Sequence, residues 1–589
     1  MRICIRFTLL LLAVVLAGAS HAGAQTPPPI IFFTDITSGP SSGGESVSGY
    51  AGSYVSIYGN YFGASQGSST ITLNGANCLR VVSWGTTWLW YQKIVVQLGS
   101  SCSSGNFSIT VNGQTSTNAI VTVGGAQINP ANFTVRAGNI HCVSSAGNDS
   151  NSGQFPSSCW ATLKHATLAY SPGPYMSAGD ITYVESGVNA APGGGNYNDT
   201  LDAGIGGTAA NPVALIACPQ AASNTCGQSG SATPATVTVG TATGDDRGIY
   251  VCSGLSACPS GNYWVFAGLT VRSGCEPIQT YGAVRIIAND LSDPSCVGGE
   301  SGTITVGADN VFIYGNNIHD TGANTASSIT KLHHMVYIGD GTSAVDSGWN
   351  ILQNNHGNRG YQVYCSSCGS TASSSDVYDI HVHDNTISNN RGNPLLFNQV
   401  NASKGTLEAY NNVVYNAGIG PDFADGSTSW DCSLASTIGG QVQLYNNTFY
   451  SCGTTNSSSP SSGCYAVGSM NAVNNICYQT ANFQYFDGVS GESCSNNLFY
   501  GSGATPSGCS TGAINVNPLF NNLTSFDFTL ASNSPAINAG YAETSLKWDH
   551  NGSTRPQGSG YDVGAYEYFA GGSTVQVPNP PTNLSVSVQ

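Results

Sequence analysis

The chain has 589 residues, of which 40% are hydrophobic and only 8% charged, and its net charge is −16 at pH 7. An acidic chain argues against nucleic acid as a partner, and a polyanionic substrate needs a local basic patch or a bridging cation. The length exceeds one compact core, and a composition rich in Gly, Ser, Asn and Thr favours many short strands and turns over helices.

Residues 1–24 read as a secretory signal peptide: Arg2 and Arg6, an apolar run from Phe7 to Leu16, then Ala22-Gly23-Ala24. The run is too short to span a bilayer and no lipid-accepting cysteine follows it, so a secreted or cell-surface protein without a membrane span is expected. Of the 19 cysteines, Cys4 lies in the leader. The others fall as near neighbours: 78/102, 142/159, 218/226, 252/258, 275/296, 365/368, 432/452, 464/477 and 494/509. An even number in an exported chain argues for local disulfides, although spacing leaves the connectivity open. Cys365-Ser-Ser-Cys368 also has the spacing of a redox or zinc motif, but no second such pair and no following helix support that reading.

Residues 25–125 alternate apolar strands with Gly, Asn and Ser turns, the pattern of a β-sandwich. Pro40, the stretch Val55-Ser56-Ile57-Tyr58-Gly59-Asn60-Tyr61-Phe62-Gly63 and Gly105-Asn106-Phe107-Ser108-Ile109-Thr110-Val111 resemble an IPT/TIG immunoglobulin-like domain. That resemblance implies a spacer or binding module rather than a catalyst.

Residues 126–568 open with a strand at IHCV, a Gly-Asn-Asp turn, a short helix from Ala161 to about Ala169 and a strand at ITYV. This order resembles the start of exported right-handed parallel β-helix proteins of the pectate-lyase-like class. There a short helix covers the first coil, whose open end would otherwise expose apolar side chains and unpaired edges. From about residue 260, segments such as VFIYGNNIH, IHVHDNTIS, LEAYNNVVY and VQLYNNTFY recur. Aligning them puts Asn289, Asn317, Asn355, Asn385, Asn412, Asn447, Asn475 and Asn497 in one column, at intervals of about 20 to 40 residues that signal a solenoid. Asn suits such a corner because it tolerates a left-handed backbone and its amide can bond up and down the stack.

The end of this unit carries Asn517-Pro518-Leu519-Phe520, Ser534-Pro535-Ala536-Ile537-Asn538-Ala539-Gly540 and Asp562-Val563-Gly564-Ala565-Tyr566-Glu567-Tyr568. These resemble the C-terminal signature of choice-of-anchor Q β-helix proteins. Residues 569–589 read as a flexible Pro/Ser-rich tail. The expected fold is therefore all-β: an immunoglobulin-like sandwich, then a right-handed parallel β-helix with a short N-terminal capping helix.

Six histidines, His319, His333, His334, His356, His381 and His383, crowd one window together with Asp320, Asp340, Asp346, Asp384, Arg359 and Arg391. Stacking HMVYIG, YQVYCS and PLLFNQ turns Tyr337, Tyr364 and Phe397 outward as a ring ladder suited to sugar faces. The candidate catalytic residues are His319, Asp320, His334, Tyr337, His356, Arg359, His383 and Asp384. For β-elimination from a uronate, His334, His356 or Tyr337 would take the proton and Arg359 neutralise the carboxylate. Asp340 and Asp346 form a candidate Ca²⁺ pair, Ca²⁺ being the one cofactor suggested. Hydrolysis would instead draw two carboxylates from Asp320, Asp340, Asp346 and Asp384. The His381-Val382-His383 pair has the one-sided spacing of two zinc ligands. The expected partner is an extracellular or cell-wall polysaccharide that the protein binds, with cleavage by a lyase or related carbohydrate-active enzyme left open and a monomer taken as the default state. The alternative is a non-catalytic adhesion or scaffold protein.

Overall fold

The computed structural model describes residues 26–570 apart from 168–174, 192–198, 205, 221–225, 227–234, 242–246, 253–261, 298–300, 324–331, 369–372, 419–431, 454–463, 467–468, 480–485, 488–492, 502–504, 506 and 544. The expected leader, Cys258 and all but the first residues of the tail lie outside the described residues.

Two sheets form the N-terminal unit. In one, Tyr54–Asn60 pairs antiparallel with Ile30–Thr34 and with Tyr91–Leu98. In the other, Gly105–Val111 pairs antiparallel with Thr70–Leu73 and with Asn132–Val135, so the sheet includes residues beyond 125. Ile57, Val96, Phe107, Ile109 and Phe133 are buried. A separate hairpin, Val121–Val123 with Ala126–Ile128, projects from this unit.

The rest of the chain coils through three parallel sheets, with twelve, eleven and ten strands among the described residues. Val311–Tyr314 in the first sheet, Asn317–Thr321 in the second and His333–Ile338 in the third make one coil before Ser343–Gly348 re-enters the first. Alternate residues such as Val345, Leu352, Val336 and Ile338 point into a continuous apolar core. This is the parallel β-helix the sequence pattern anticipates. A short helix, Leu163–Thr167, contacts the first strands of the second and third sheets. Its start is fixed by Asp149, which accepts from the Ala161 and Thr162 N–H groups, and by Thr162 Oγ, which accepts from His165 N–H.

Disulfides join Cys78–Cys102, Cys142–Cys159, Cys218–Cys226, Cys275–Cys296, Cys365–Cys368, Cys432–Cys452, Cys464–Cys477 and Cys494–Cys509. The bond at Cys365–Cys368 removes the thiolates that zinc would need. Among the described residues no helix is long and apolar enough to cross a membrane.

A buried amide ladder sets the stacking of coils, and its register corrects the sequence alignment at two places. The ladder runs through Asn289, Asn316, Asn350, Asn385, Asn412, Asn447, Asn475 and Asn497, all fully buried. Asn350 Oδ1 accepts both the backbone N–H of Asn316 at 2.8 Å and its Nδ2–H at 3.0 Å. The second Nδ2–H of Asn316 donates to the Ile286 carbonyl. The same pattern repeats at Asn385 to Asn412 and at Asn447 to Asn475. Asn317 and Asn355 are not members. Asn317 bonds Asp290 on the outside of the second sheet, and Asn355 bonds Asn390 in another column. Several asparagines crowd both corners, and a pattern without register cannot choose among them. The left-handed backbone also belongs to a different residue, the one before each ladder Asn: Gly315, Trp349, Asp384, Asn411, Asn446 and Asn474 have positive φ.

That line of corners is the seam on which the other parts dock. Trp88 Nε1 donates to the Gly315 carbonyl and the Tyr91 hydroxyl to the Trp349 carbonyl, while Phe32 stacks on Trp349. Further along, the side chains of Asn411, Asn446 and Asn474 donate to the carbonyls of Trp548, Asp562 and Tyr541. The C-terminal segment is held there by Arg555, buried between Glu567 at 2.7 Å and Asn411. The N-terminal unit is thus packed into the solenoid's core cluster.

Replacing Asn350 by Ala strands the backbone and one side-chain N–H of Asn316 in the core and takes one of two bonds from the Asn385 oxygen. A loss of about 2–4 kcal/mol is expected in denaturant unfolding, against less than about 1 kcal/mol for Asn317→Ala on the outer face. Equal losses would contradict the ladder register.

Candidate functional site

Ladder register dictates what lines the outside of the first sheet. Four residues before each ladder Asn lies one outward column, Phe312, Asp346, His381, Glu408, Gln443 and Asn471, and two residues before lies another that includes His383, Tyr410 and Tyr445. The projecting hairpin of the N-terminal unit and the C-terminal stretch Ser545–Trp548 stand over these columns, leaving a cleft of about 760 Å³. This volume is ordinary for a small-ligand site.

The cleft floor is a charged relay. His381 faces Glu408 through Nδ1 at 2.6 Å and Asp379 through Nε2 at 3.1 Å. Glu408 also accepts from the Tyr445 hydroxyl at 2.8 Å, and Asp379 from the Gly124 N–H of the hairpin at 2.6 Å. Burial opposes a charge on His381, but its bonds to Asp379 and Glu408 outweigh that and raise its pKa to about 10. Burial also works against the Asp379 carboxylate, yet its bond to His381 holds it below the usual range. Beside this relay the Tyr410 and Tyr445 rings stack at 5.1 Å.

Beneath the N-terminal unit lies a second, dry relay. His383 sits between Asp346 at 2.6 Å and Asp384 at 2.8 Å, all three fully buried. Trp548 Nε1 donates to Asp384, and the imidazole stacks on Tyr410. Burial is again outweighed by the two carboxylates, and the His383 pKa rises to about 9.

The sequence candidates are dispersed over three sheets. His319 lies outside the second sheet, clamped between Asp290 and Asp320 at 2.8 Å each. Those carboxylates overcome burial and raise it to about 9, which makes it a bound cation and not a free base. His356, at the corner after the second sheet, is held low by burial and Arg391. On the third sheet His334 and Tyr337 stack at 5.9 Å beside Arg359, which bonds Gln362. Burial and the Arg359 charge keep His334 neutral, but it is only 1% exposed.

Other expectations are corrected. His383 and Asp384 are sealed in the dry relay and cannot meet a substrate. Asp346 shares that relay, while Asp340 accepts from Ser366 and Ser367 in a turn, so the two do not form a Ca²⁺ pair. His381 and His383 each spend both ring nitrogens on carboxylates, which leaves none for zinc. Among the described residues no group of three or more His, Cys, Asp and Glu is placed to hold a metal ion. The ring ladder at Tyr337, Tyr364 and Phe397 dissolves because Tyr337 aligns with Gln362 and Val363 with Phe397. The slip of one residue turns Phe397 into the core. A tyrosine column does exist at Tyr415, Tyr450 and Tyr478 on the second sheet, but Phe526, Phe528 and Phe520 of the C-terminal segment pack on it.

Sequence reading missed Asp379, Glu408, Tyr410 and Tyr445. Their signal was the fixed offset from the ladder Asn: reading back from Asn385, Asn412 and Asn447 gives His-x-His, Glu-x-Tyr and Gln-x-Tyr on one outer face.

No protein-family model matches the chain, and no curated protein matches it. Among solved structures it is similar to pectate lyase Pel9A, with TM-score 0.46, 16% identity, 73% of this chain and 96% of that one. It is similar also to XylC in complex with xylose, with TM-score 0.41, 10% identity, 73% of this chain and 99% of that one. An alginate lyase from Paenibacillus sp. str. FPU-7 has TM-score 0.33 and 14% identity over 64% of this chain and 98% of that one. The parallel sheets define the fold without these likenesses, and none of them assigns a residue here.

The two relays predict a pH dependence. Folded pKa values raised above 6.5 contribute stability that is complete below pH 6.5 and lost as pH climbs through about 9 and 10. Buried Lys93, lowered by burial to about 8, acts in the opposite sense above pH 8. His319, raised to about 9, acts with the relays, so three imidazoles stand against one amine and Tm is expected to fall from pH 7 to pH 10. A Tm that rises over that interval would contradict the charged state of the relays.

Proposed function

We propose that the protein is an exported, disulfide-braced β-helix protein that binds extracellular or cell-wall polysaccharide in the first-sheet cleft. The N-terminal unit, which resembles IPT/TIG domains, supplies one wall of that cleft and so acts as part of the binding surface. The observation that carries this reading is the floor itself: stacked Tyr410 and Tyr445 beside the Asp379 and Glu408 carboxylates, in a cleft of about 760 Å³. His383 and Tyr445 cover the two faces of Tyr410, so a sugar meets the edges of this ring stack, while the carboxylates accept its hydroxyls.

The same floor favours binding over bond cleavage. His381 is a cation with both N–H groups engaged, and hydrolysis would require one carboxylate to carry a proton for the leaving group. A second reading rests on the third sheet, where neutral His334 beside Arg359 combines a base with a carboxylate neutraliser for uronate β-elimination.

Titration with soluble oligosaccharides, followed by tryptophan fluorescence, tests both. Thr406 is an exposed cleft residue, and Thr406→Trp is expected to weaken binding at least about tenfold by filling the space. His334→Ala is expected to leave binding unchanged. Undiminished binding in Thr406→Trp would contradict the cleft assignment. Unsaturated products formed from uronate polymers and abolished by His334→Ala would favour the third-sheet reading.

A further inference from the structure

Resting on the glycan reading of the cleft, its charges and hydrogen-bond inventory define what the sugar must carry. The donors of the charged floor are all committed: both His381 N–H groups to Asp379 and Glu408, and the Tyr445 hydroxyl to Glu408. The acceptors are not. Each oxygen of Glu408 receives one of these bonds, as does each oxygen of Asp379 from His381 and Gly124, and a carboxylate oxygen has two lone pairs. The Asp379 and Glu408 side chains keep 15% and 17% of their surface exposed, so the remaining lone pairs are reachable.

Charge points the same way. Two carboxylates and one imidazolium leave the relay with one net negative charge. Among the described residues lining the cleft, Lys404 is the other cation, and it is paired with Asp376 at 2.5 Å and donates to the Ser373 carbonyl. Asp346, next to His381 in the column, belongs to the dry relay, whose two carboxylates and one imidazolium add a further negative charge. The cleft therefore presents acceptors and negative potential to its ligand. A uronate carboxylate, a sulfate or a phosphate group brings acceptors and negative charge to these acceptors, so the charged part of such a glycan is repelled.

We infer that the cleft recognises a glycan with free amino groups, whose ammonium donates to Glu408 and Asp379 while the adjoining sugar lies against the edges of the Tyr410 and Tyr445 rings. An ammonium between two carboxylates forms charge-assisted hydrogen bonds that an N-acetyl group cannot, since acetylation removes the charge and two of the donors. An N-acetylated chain of the same sugars is bound more weakly, and an oligouronate most weakly.

The test uses the whole exported chain and three hexasaccharides, of glucosamine, N-acetylglucosamine and galacturonate, titrated at pH 6. About 0.15 M salt screens the general attraction of an acidic protein for any cation. The glucosamine oligomer is expected to bind at least about tenfold more tightly than the acetylated one. Glu408→Gln, a change of charge at constant shape, is expected to remove that advantage. Thr406→Lys, at an exposed position that does not hold the fold, is expected to weaken the glucosamine oligomer and strengthen the galacturonate one. If the galacturonate oligomer binds the unmodified protein most tightly, or Glu408→Gln and Thr406→Lys leave the order of the three unchanged, the inference is overturned. Cleft binding of the acetylated oligomer as tight as that of the amino oligomer would overturn it while leaving the glycan reading intact. No binding by any of the three that Thr406→Trp diminishes would remove both.

Discussion

A column of eight buried amides governs this molecule. Each inner ladder Asn spends its side-chain oxygen on two donors from the coil before it and its amide protons on the next Asn and a carbonyl. Because these groups are sealed from water, a coil that slipped by one residue would strand several of them at once, at a cost of about 1–3 kcal/mol each. Register is therefore fixed far more tightly than apolar packing alone would fix it. Everything outside the helix inherits that precision: residues at equal distance from the ladder superpose, coil on coil, about 4.8 Å apart. The charged column of His381 and Glu408 and the ring column of His383, Tyr410 and Tyr445 are products of this bookkeeping.

The residue before each ladder Asn carries a second constraint, and its identity divides the seam into two uses. In the later coils it is Asn, whose free amide grips the C-terminal segment. In the middle coils it is Gly315, Trp349 and Asp384, against which the N-terminal unit and Trp548 pack. Trp349 adopts φ 58 and is 1% exposed, a conformation that a bulky side chain accepts only where its surroundings compel it. Those surroundings are Phe32, Tyr314 and the His383 relay, so the docking of the N-terminal unit, the strained corner and the buried ions are mutually dependent. Removing one partner of a buried ionic group is costly, so the relay penalises any arrangement that separates His383 from Asp346 or Asp384.

Much of the fold was legible because it repeats. The Asn spacing announced a solenoid, the apolar alternation its sheets, and the paired cysteines their bonds. Register was not legible where asparagines cluster, as at Asn316-Asn317 and between Asn350 and Asn355. The same one-residue ambiguity placed Phe397 on the outer face when the pairing puts it in the core. The histidine window was visible as composition, but its members divide among three sheets, and most are consumed by carboxylate pairs. The cleft was hidden for a different reason. Its walls come from residues near 120, between 343 and 445 and near 545, and no local pattern in any of the three reveals that they meet.

The central claim is that the surface meeting a ligand is the first-sheet cleft, built by the docked N-terminal unit, and not the histidine-rich faces of the other two sheets. Hydrogen-exchange mass spectrometry with and without a bound oligosaccharide tests this directly. Protection is expected in peptides covering 120–125, 378–381, 404–410 and 545–548 together. Protection confined to peptides covering 333–338 and 356–364, with those four unchanged, would contradict it.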